Sequence, residues 1–318
     1  MAVYTEVSDE ELAAFVAAYD IGAVLACKGI AEGIENSNYL LATAQGNFIL
    51  TLYERRVRPE DLPYFLALMS HLSARGIACP VPVKGRDGNA LRTLAGRPAA
   101  IVSFLAGMWP RRPTPLHCHV FGGAMAQLHL AGADFALRRP NDLSLQGWRQ
   151  LHAATHSKAD TVQPGLAARI AHELGALGAA WPHALPAGAI HADLFPDNVF
   201  FLDDRLSGII DFYFACNDFL AYDLAVALNA WCFERTGEFN MTSARQMIAG
   251  YRSVRPLADA ERAALPALAR GAALRFLLTR LYDWLNLPDA FRRKDPLEYL
   301  ARLDFHARVA DASGYGFD

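Results

Sequence analysis

Cysteine is scarce and shows no pairing pattern: five residues (Cys27, Cys79, Cys118, Cys216 and Cys232), an odd number, widely spaced and without a C-x-x-C pair. This argues against a disulfide framework or a zinc ribbon and points to a reducing compartment. Long apolar runs are missing as well. The best candidate, Phe219 to Phe233, is interrupted by Asp223, falls short of the roughly 20 residues that span a bilayer, and reads as a buried helix. The opening residues, Met1-Ala2-Val3-Tyr4-Thr5-Glu6, lack the basic-then-apolar pattern of a secretory signal, so a cytoplasmic location without membrane association is expected. There is no basic surplus either. Thirty Lys+Arg stand against 33 Asp+Glu, a formal charge of -3, the wrong balance for a dedicated nucleic-acid binder. Internal repeats and low-complexity tracts are absent.

What is present is apolar enough for a large core. Hydrophobic residues make up 53% and charged residues 20% of 318 positions, which excludes wholesale disorder and suits about two domains. Ser8 followed by Asp9, Glu10 and Glu11, with Leu12, Phe15, Val16 and Tyr19 at helical spacing, predicts a first helix. Strand-like runs follow at Val24–Ile30, Asn38–Ala42 and Asn47–Tyr53, the last two joined across Gln45-Gly46-Asn47. Arg58-Pro59-Glu60-Asp61 opens a second helix that ends near Gly76. Strands are predicted at Cys79–Val83 and Pro98–Leu105. Beyond Gly107 the texture changes to a Pro- and Arg-containing connector, then to Ala/Leu-rich helices broken by short strands at Val199–Leu202 and Gly208–Phe212. The expected class is α+β, with an antiparallel-sheet N-lobe over residues 1–103, a hinge at 104–107 and a mainly helical C-lobe over 108–318.

The most informative stretch is His191-Ala192-Asp193-Leu194-Phe195-Pro196-Asp197-Asn198, an H-x-D-x-x-x-x-N pattern followed 13 residues later by Asp211 in Ile209-Ile210-Asp211-Phe212. Phosphoryl transfer from ATP needs a carboxylate beside the attacking hydroxyl and hard oxygen ligands for magnesium. Asp193 fits the first task, Asn198 and Asp211 the second, with His191 in support. Taken singly, Asp193 and Asn198 would read as turn or cap residues and His191 as a packed core histidine.

With these residues the chain resembles the aminoglycoside phosphotransferase and choline kinase superfamily, whose fold is protein-kinase-like. Pro98 to Gly107 looks like the strand and hinge of the adenine pocket, Phe121 to His129 like the family helix ending in Leu-His, and Tyr222-Asp223-Leu224-Ala225 like its downstream segment. Within the superfamily the resemblance is closest to the homoserine kinases. It is carried by Gly33 to Tyr39, Phe48 to Glu54, Asp211 to Asp218 and Leu228 to Glu234. The resemblance implies ATP and Mg2+ as cofactors and L-homoserine as substrate, in threonine biosynthesis. Alternatives are a kinase acting on choline, an aminosugar or methylthioribose, or a nucleotide-binding regulator without catalysis.

Nucleotide contacts are expected from Gly29, Gly33, Asn38, Ile49, Val102 and Phe104. Thr51 stands where protein kinases carry a third-strand lysine, so another cation must offset the phosphates; Lys28, Arg55 and Arg56 are open to that role or to solvation at the surface. Ala192 replaces the catalytic-loop arginine, Asp211-Phe212-Tyr213 replaces Asp-Phe-Gly and no Ala-Pro-Glu follows, which argues against a protein substrate. For an amino acid substrate, Arg275 and Asp283 lie eight residues apart on one face of a predicted helix over Gly271–Leu285, open to a clamp or to ordinary ion pairing. Tyr213 and Asn217 are further substrate-binding candidates. His117-Cys118-His119 fits a helix start better than a metal site.

Overall fold

The computed structural model describes residues 5–30, 36–54, 57–288 and 294–317. The chain forms two compact units, one of Met1–Met108, Phe135–Leu137 and Ser207–Tyr213, the other of Trp109–Asp134, Arg138–Leu206 and Phe214–Asp318.

The first unit is a sheet with helices. Helix α1 (Asp9–Val16) starts where the sequence predicts. Ser8 and Glu11 form a reciprocal capping box, and Leu12, Phe15 and Val16 are buried. Strands β1 (Val24–Gly29), β2 (Ser37–Thr43) and β3 (Gly46–Leu52) follow, then α2 (Leu62–Ala74), β4 (Leu91–Leu94) and β5 (Arg97–Ser103). The antiparallel sheet has the order β1-β2-β3-β5-β4. Directly opposed residues share a face, so the register sorts the side chains. Tyr39, Leu50 and Ile101 face the α1 side and join its apolar residues in one core. Lys28, Leu40, Ile49 and Val102 form a row on the other face, beside a second row of Asn38, Thr51 and Ala100.

One predicted strand is not a strand. Pro80 and Pro82 have no N–H to give a ladder, so Cys79–Val83 is fastened to β5 through Val81, Val83 and an isolated bridge at Pro82.

The second unit contains α3 (Pro115–Ala131), α4 (Leu145–Ala159), α5 (Leu166–Ala180), β6 (Ala187–Ile190), β7 (Val199–Leu202), the start of β8 (Arg205–Ile209), β9 (Cys216–Phe219), α6 (Leu220–Trp231), α7 (Met241–Val254), α8 (Asp259–Asn286) and α9 (Leu297–His306). Helix α3 begins at Pro115 because Thr114 caps it, Pro115 occupies the first turn and His117 closes the capping box. Short ribbons join β6 to β9 and β7 to β8. Helices α3 and α7 approach until backbones touch. A Cβ on Gly122 would fall 2.1 Å from the Met247 oxygen, and one on Gly250 would fall 1.9 Å from the His119 oxygen. Helix α6 is buried along almost its whole length, Asp223 and Asn229 included.

Candidate active site

The loop between β6 and β7 carries the H-x-D-x-x-x-x-N residues, and its shape is set from beneath by one carboxylate. Asp223, on the first turn of α6, is fully buried and accepts the backbone N–H groups of His191 at 2.8 Å and Ala192 at 2.7 Å. It also accepts His129 Nε2 at 3.1 Å. Burial alone would raise this carboxyl; the hydrogen bond and charge of His129, with His191, instead hold it below the ordinary carboxylate value. A buried anion needs such partners, and here the partners are the loop itself.

The chain above Asp223 is strained and locked. Ala192 has φ of 63°, a left-handed conformation costly for a residue with a Cβ. Its N–H is held by Asp223 and its carbonyl by Nη1 of the buried Arg275. Trp231 at the end of α6 donates its indole N–H to the Leu194 oxygen at 2.8 Å. Asp193 and Asn198 emerge from this scaffold side by side. The Asn198 amide donates to the Asp193 backbone oxygen at 2.8 Å and to its carboxylate at 3.2 Å. With the NH2 group so engaged, the remaining polar atom of Asn198 is its carbonyl oxygen, a hard ligand. Asp193 is half-buried and Asn198 buried. His191 is buried and its Nδ1 accepts the Asp193 N–H at 3.3 Å.

In the first unit, Asp211 follows β8 with φ of 66°. Tyr213 lies two residues on, its ring edge-on to Tyr53 and Phe65 at 5.2 and 5.9 Å, its hydroxyl 3.3 Å from that of Tyr53. Burial pushes the Tyr213 hydroxyl up to about 12, and the Asp211 charge adds to the rise. On the sheet, Thr51 donates to Asn38 at 2.8 Å. Ile49 and Val102 are adjacent in the face row that begins at the exposed Lys28; Gly29 ends β1, and Phe104, past the end of β5, is 43% exposed. Gly33, Arg55 and Arg56 lie outside the described residues.

Of the substrate candidates, Asn217 accepts the Arg139 N–H through its side-chain oxygen at 2.9 Å. Arg275 is 1% exposed, with its guanidinium over Phe214 and Phe276 at 5.6 and 4.5 Å; Asp283, two turns along α8, is half-buried.

Asp223 and His129 are the supports that residue-by-residue reading left without a role. The signal for Asp223 was present: a single carboxylate inside an otherwise apolar helix must have donors of its own. Nothing in a linear pattern shows that those donors are the N–H groups of residues 191 and 192.

Residues 26–257 match the model of the phosphotransferase enzyme family. A homoserine kinase of Rhodospirillum rubrum is 64% identical over 318 residues, covering 99% of this chain and 99% of that protein. A homoserine kinase of Xanthobacter autotrophicus is 62% identical with the same coverage. Among solved structures, the amicoumacin kinase hAmiN matches with a TM-score of 0.71 at 16% identity, over 98% of this chain and 96% of its own. That likeness bears on the fold, which is the protein-kinase-like α+β class expected from the sequence.

Proposed function

The chain belongs to the phosphotransferase enzyme family, and from that premise we propose that it transfers the γ-phosphoryl group of ATP to the hydroxyl of L-homoserine, giving O-phospho-L-homoserine and ADP. The observation that carries this reading is the pairing of Asp193 with Asn198 on a loop held by Asp223. The substrate class follows from the homoserine kinases that match over nearly the full length.

Each residue has a task in this scheme. Asp193 orients the attacking hydroxyl and receives its proton as the new O–P bond forms and the bond to the leaving ADP breaks. Asn198 and Asp211 are assigned as magnesium ligands, since an amide oxygen and a carboxylate make the all-oxygen set that this hard cation prefers. Magnesium bound there supplies charge neutralisation on the transferred phosphoryl group. His191 supports the loop. The sheet row of Leu40, Ile49 and Val102 offers an apolar floor for adenine, with Phe104 at its margin, and Lys28 at the end of that row supplies the cation that Thr51 cannot. Gly29 lies on the phosphate side of the sheet in this scheme, and Asn38 is fixed by Thr51. Residues 1–103 form the nucleotide lobe, 104–107 the hinge and 108–318 the lobe for catalysis and substrate. Arg275 acts as a positioning residue through Ala192, and Tyr213, Asn217 and Asp283 shape the surroundings of the substrate. Five free thiols suit the reducing cytoplasm.

The experiment is an ADP-release assay of the purified chain with ATP, Mg2+ and, in turn, L-homoserine, choline, an aminosugar and methylthioribose. Turnover selective for L-homoserine is expected. Asp193→Ala should lower kcat roughly 10²- to 10⁴-fold, the range for loss of a general base, with KM for ATP little changed. Preference for choline or a sugar, or a fully active Asp193→Ala variant, would overturn the reading.

A further inference from the structure

We propose that Lys294 forms a subsite for the carboxylate of the substrate and sets the preference for an amino acid over the corresponding amino alcohol. The inference rests on the homoserine reading and deepens it.

The subsite starts at the loop that carries Asp193. Two residues along, the Phe195 ring packs edge-on against Phe276 at 4.9 Å, and Phe276 is tilted against Tyr299 at 5.2 Å. These rings make one aromatic wall leading away from Asp193. Cations cover it. Lys294 Nζ lies 5.3 Å from the centroid of Phe195, and the guanidinium of Arg280 lies 4.4 Å from that of Tyr299, with Arg302 on the same ring at 4.5 Å. Aromatic faces hold such groups in place, so the Lys294 ammonium is pre-positioned near the reacting loop.

The charges of this cluster are unevenly matched. Glu298 gives one oxygen to Arg280 at 2.6 Å and the other to Arg302. Burial would raise its carboxyl, but Arg302, Arg280 and Lys294 hold it below the ordinary value. Asp295 turns its carboxylate to the Leu297 N–H at 2.8 Å, at the start of α9. Among the described residues, no ion pair engages Lys294.

Tyr299 ties the cluster to the reaction. Its hydroxyl is buried and has no hydrogen-bond partner among the described residues. Burial pushes it up to about 12, against Arg302 and Arg280, and the charge of Asp193 is one of those felt there. A cationic group seated on the ring of Phe195, two residues from Asp193, suits the charged end of a short hydroxy acid whose hydroxyl lies at Asp193. Arg275 is poorly placed for that task, because its guanidinium is buried between rings and bonded to Ala192.

The test compares L-homoserine with 3-aminopropan-1-ol, the same carbon chain without the carboxylate, in wild type, Lys294→Gln and Lys294→Arg. Wild type should favour homoserine strongly. Lys294→Gln should raise KM for homoserine about ten- to hundredfold, the factor for one lost charged hydrogen bond, with kcat and KM for ATP little changed. For 3-aminopropan-1-ol the same variant should shift kcat/KM less than about threefold, and Lys294→Arg should restore most of the preference. Equal losses on both substrates, or an unchanged KM for homoserine, would overturn the subsite. Wild type that turns over other alcohols but not homoserine would overturn the functional reading, and the subsite with it, before any variant is made.

Discussion

Asp223 shows how much one buried side chain can decide. Its two carboxylate oxygens accept two loop N–H groups and one imidazole N–H. An asparagine of the same shape would keep one acceptor and turn an NH2 group toward a donor, leaving a buried N–H unpaired, which costs about 1–3 kcal/mol. The support continues behind His129. Arg255 donates to the Tyr251 hydroxyl at 3.1 Å, and that hydroxyl lies 2.7 Å from His129 Nδ1, so the imidazole is held at both ring nitrogens. Asp223→Asn should therefore act on the loop above it. We expect kcat to fall at least about a hundredfold, as displacement of a catalytic group by about an ångström does. KM for ATP should stay within about threefold, and thermal unfolding should show a lower midpoint. Steady-state kinetics with calorimetry on the same preparation checks this; a variant with unchanged kcat would show that the loop holds itself. The pair to which the proposal gives a chemical task was legible as a pattern because phosphoryl transfer restricts residue type and spacing, and Asp193 and Asn198, five apart, are adjacent in space. Their support was not legible, since Asp223 lies 30 residues beyond Asp193 and any buried acid would look the same in the sequence.

Elements were readable where a local rule sufficed. Ser8 with Glu11 marked the start of α1, and the Gln45-Gly46-Asn47 turn placed β2 against β3 in register. Reading failed where the partner is distant. β6 and β9 pair across more than 20 residues of intervening chain, and neither is long enough to show a period. Cys79–Val83 had apolar strand composition, but its prolines removed the ladder donors. The contact between α3 and α7 is of the same kind: Gly122 and Gly250 look like weak helix residues until their neighbours are known. Alanine is the better helix former by about 1 kcal/mol, so a contact-free helix would gain from Gly250→Ala. Here the added Cβ would fall 1.9 Å from the His119 oxygen, and that atom belongs to a backbone that cannot turn aside. Forced overpacking costs about 1–3 kcal/mol, so net destabilisation is expected. Gly122→Ala should behave alike, and the double variant should cost less than the sum, because one substitution already parts the helices. Urea unfolding of the three variants decides it; a more stable Gly250→Ala would mean that the helices do not approach so closely.

For the molecule as a whole, acid sensitivity should be set at its upper edge by a histidine that the proposed chemistry does not use. His306, at the end of α9, is 1% exposed, with Nδ1 at 2.9 Å from the Tyr315 hydroxyl and Nε2 at 3.1 Å from the Asn229 side-chain oxygen. Burial, aided by the charge of Arg302, brings its pKa down to about 3, whereas an unfolded histidine titrates near pH 6.5. Below that pH the unfolded chain binds a proton that the folded chain refuses, so stability falls as pH falls from about 6.5 towards 3. The loss grows by about 1.4 kcal/mol per pH unit and reaches about 2 kcal/mol at pH 5. Asp223 and Glu298 act in the same direction, but as carboxylates with lowered pKa their contribution is kept until the pH drops below about 4. The window between pH 5 and 6.5 thus isolates His306 from both. His306→Gln keeps a donor and an acceptor at the site and removes the titration. It should unfold at lower urea than wild type at pH 8 if the amide fits less well, yet lose less of its stability on going to pH 5, by about 2 kcal/mol. Urea titrations at the two pH values measure that difference directly. Equal losses in wild type and variant would mean that the buried imidazole is protonated in the folded state, and the link it makes between α9, α6 and the C-terminal turn would have to be redrawn around a charged ring.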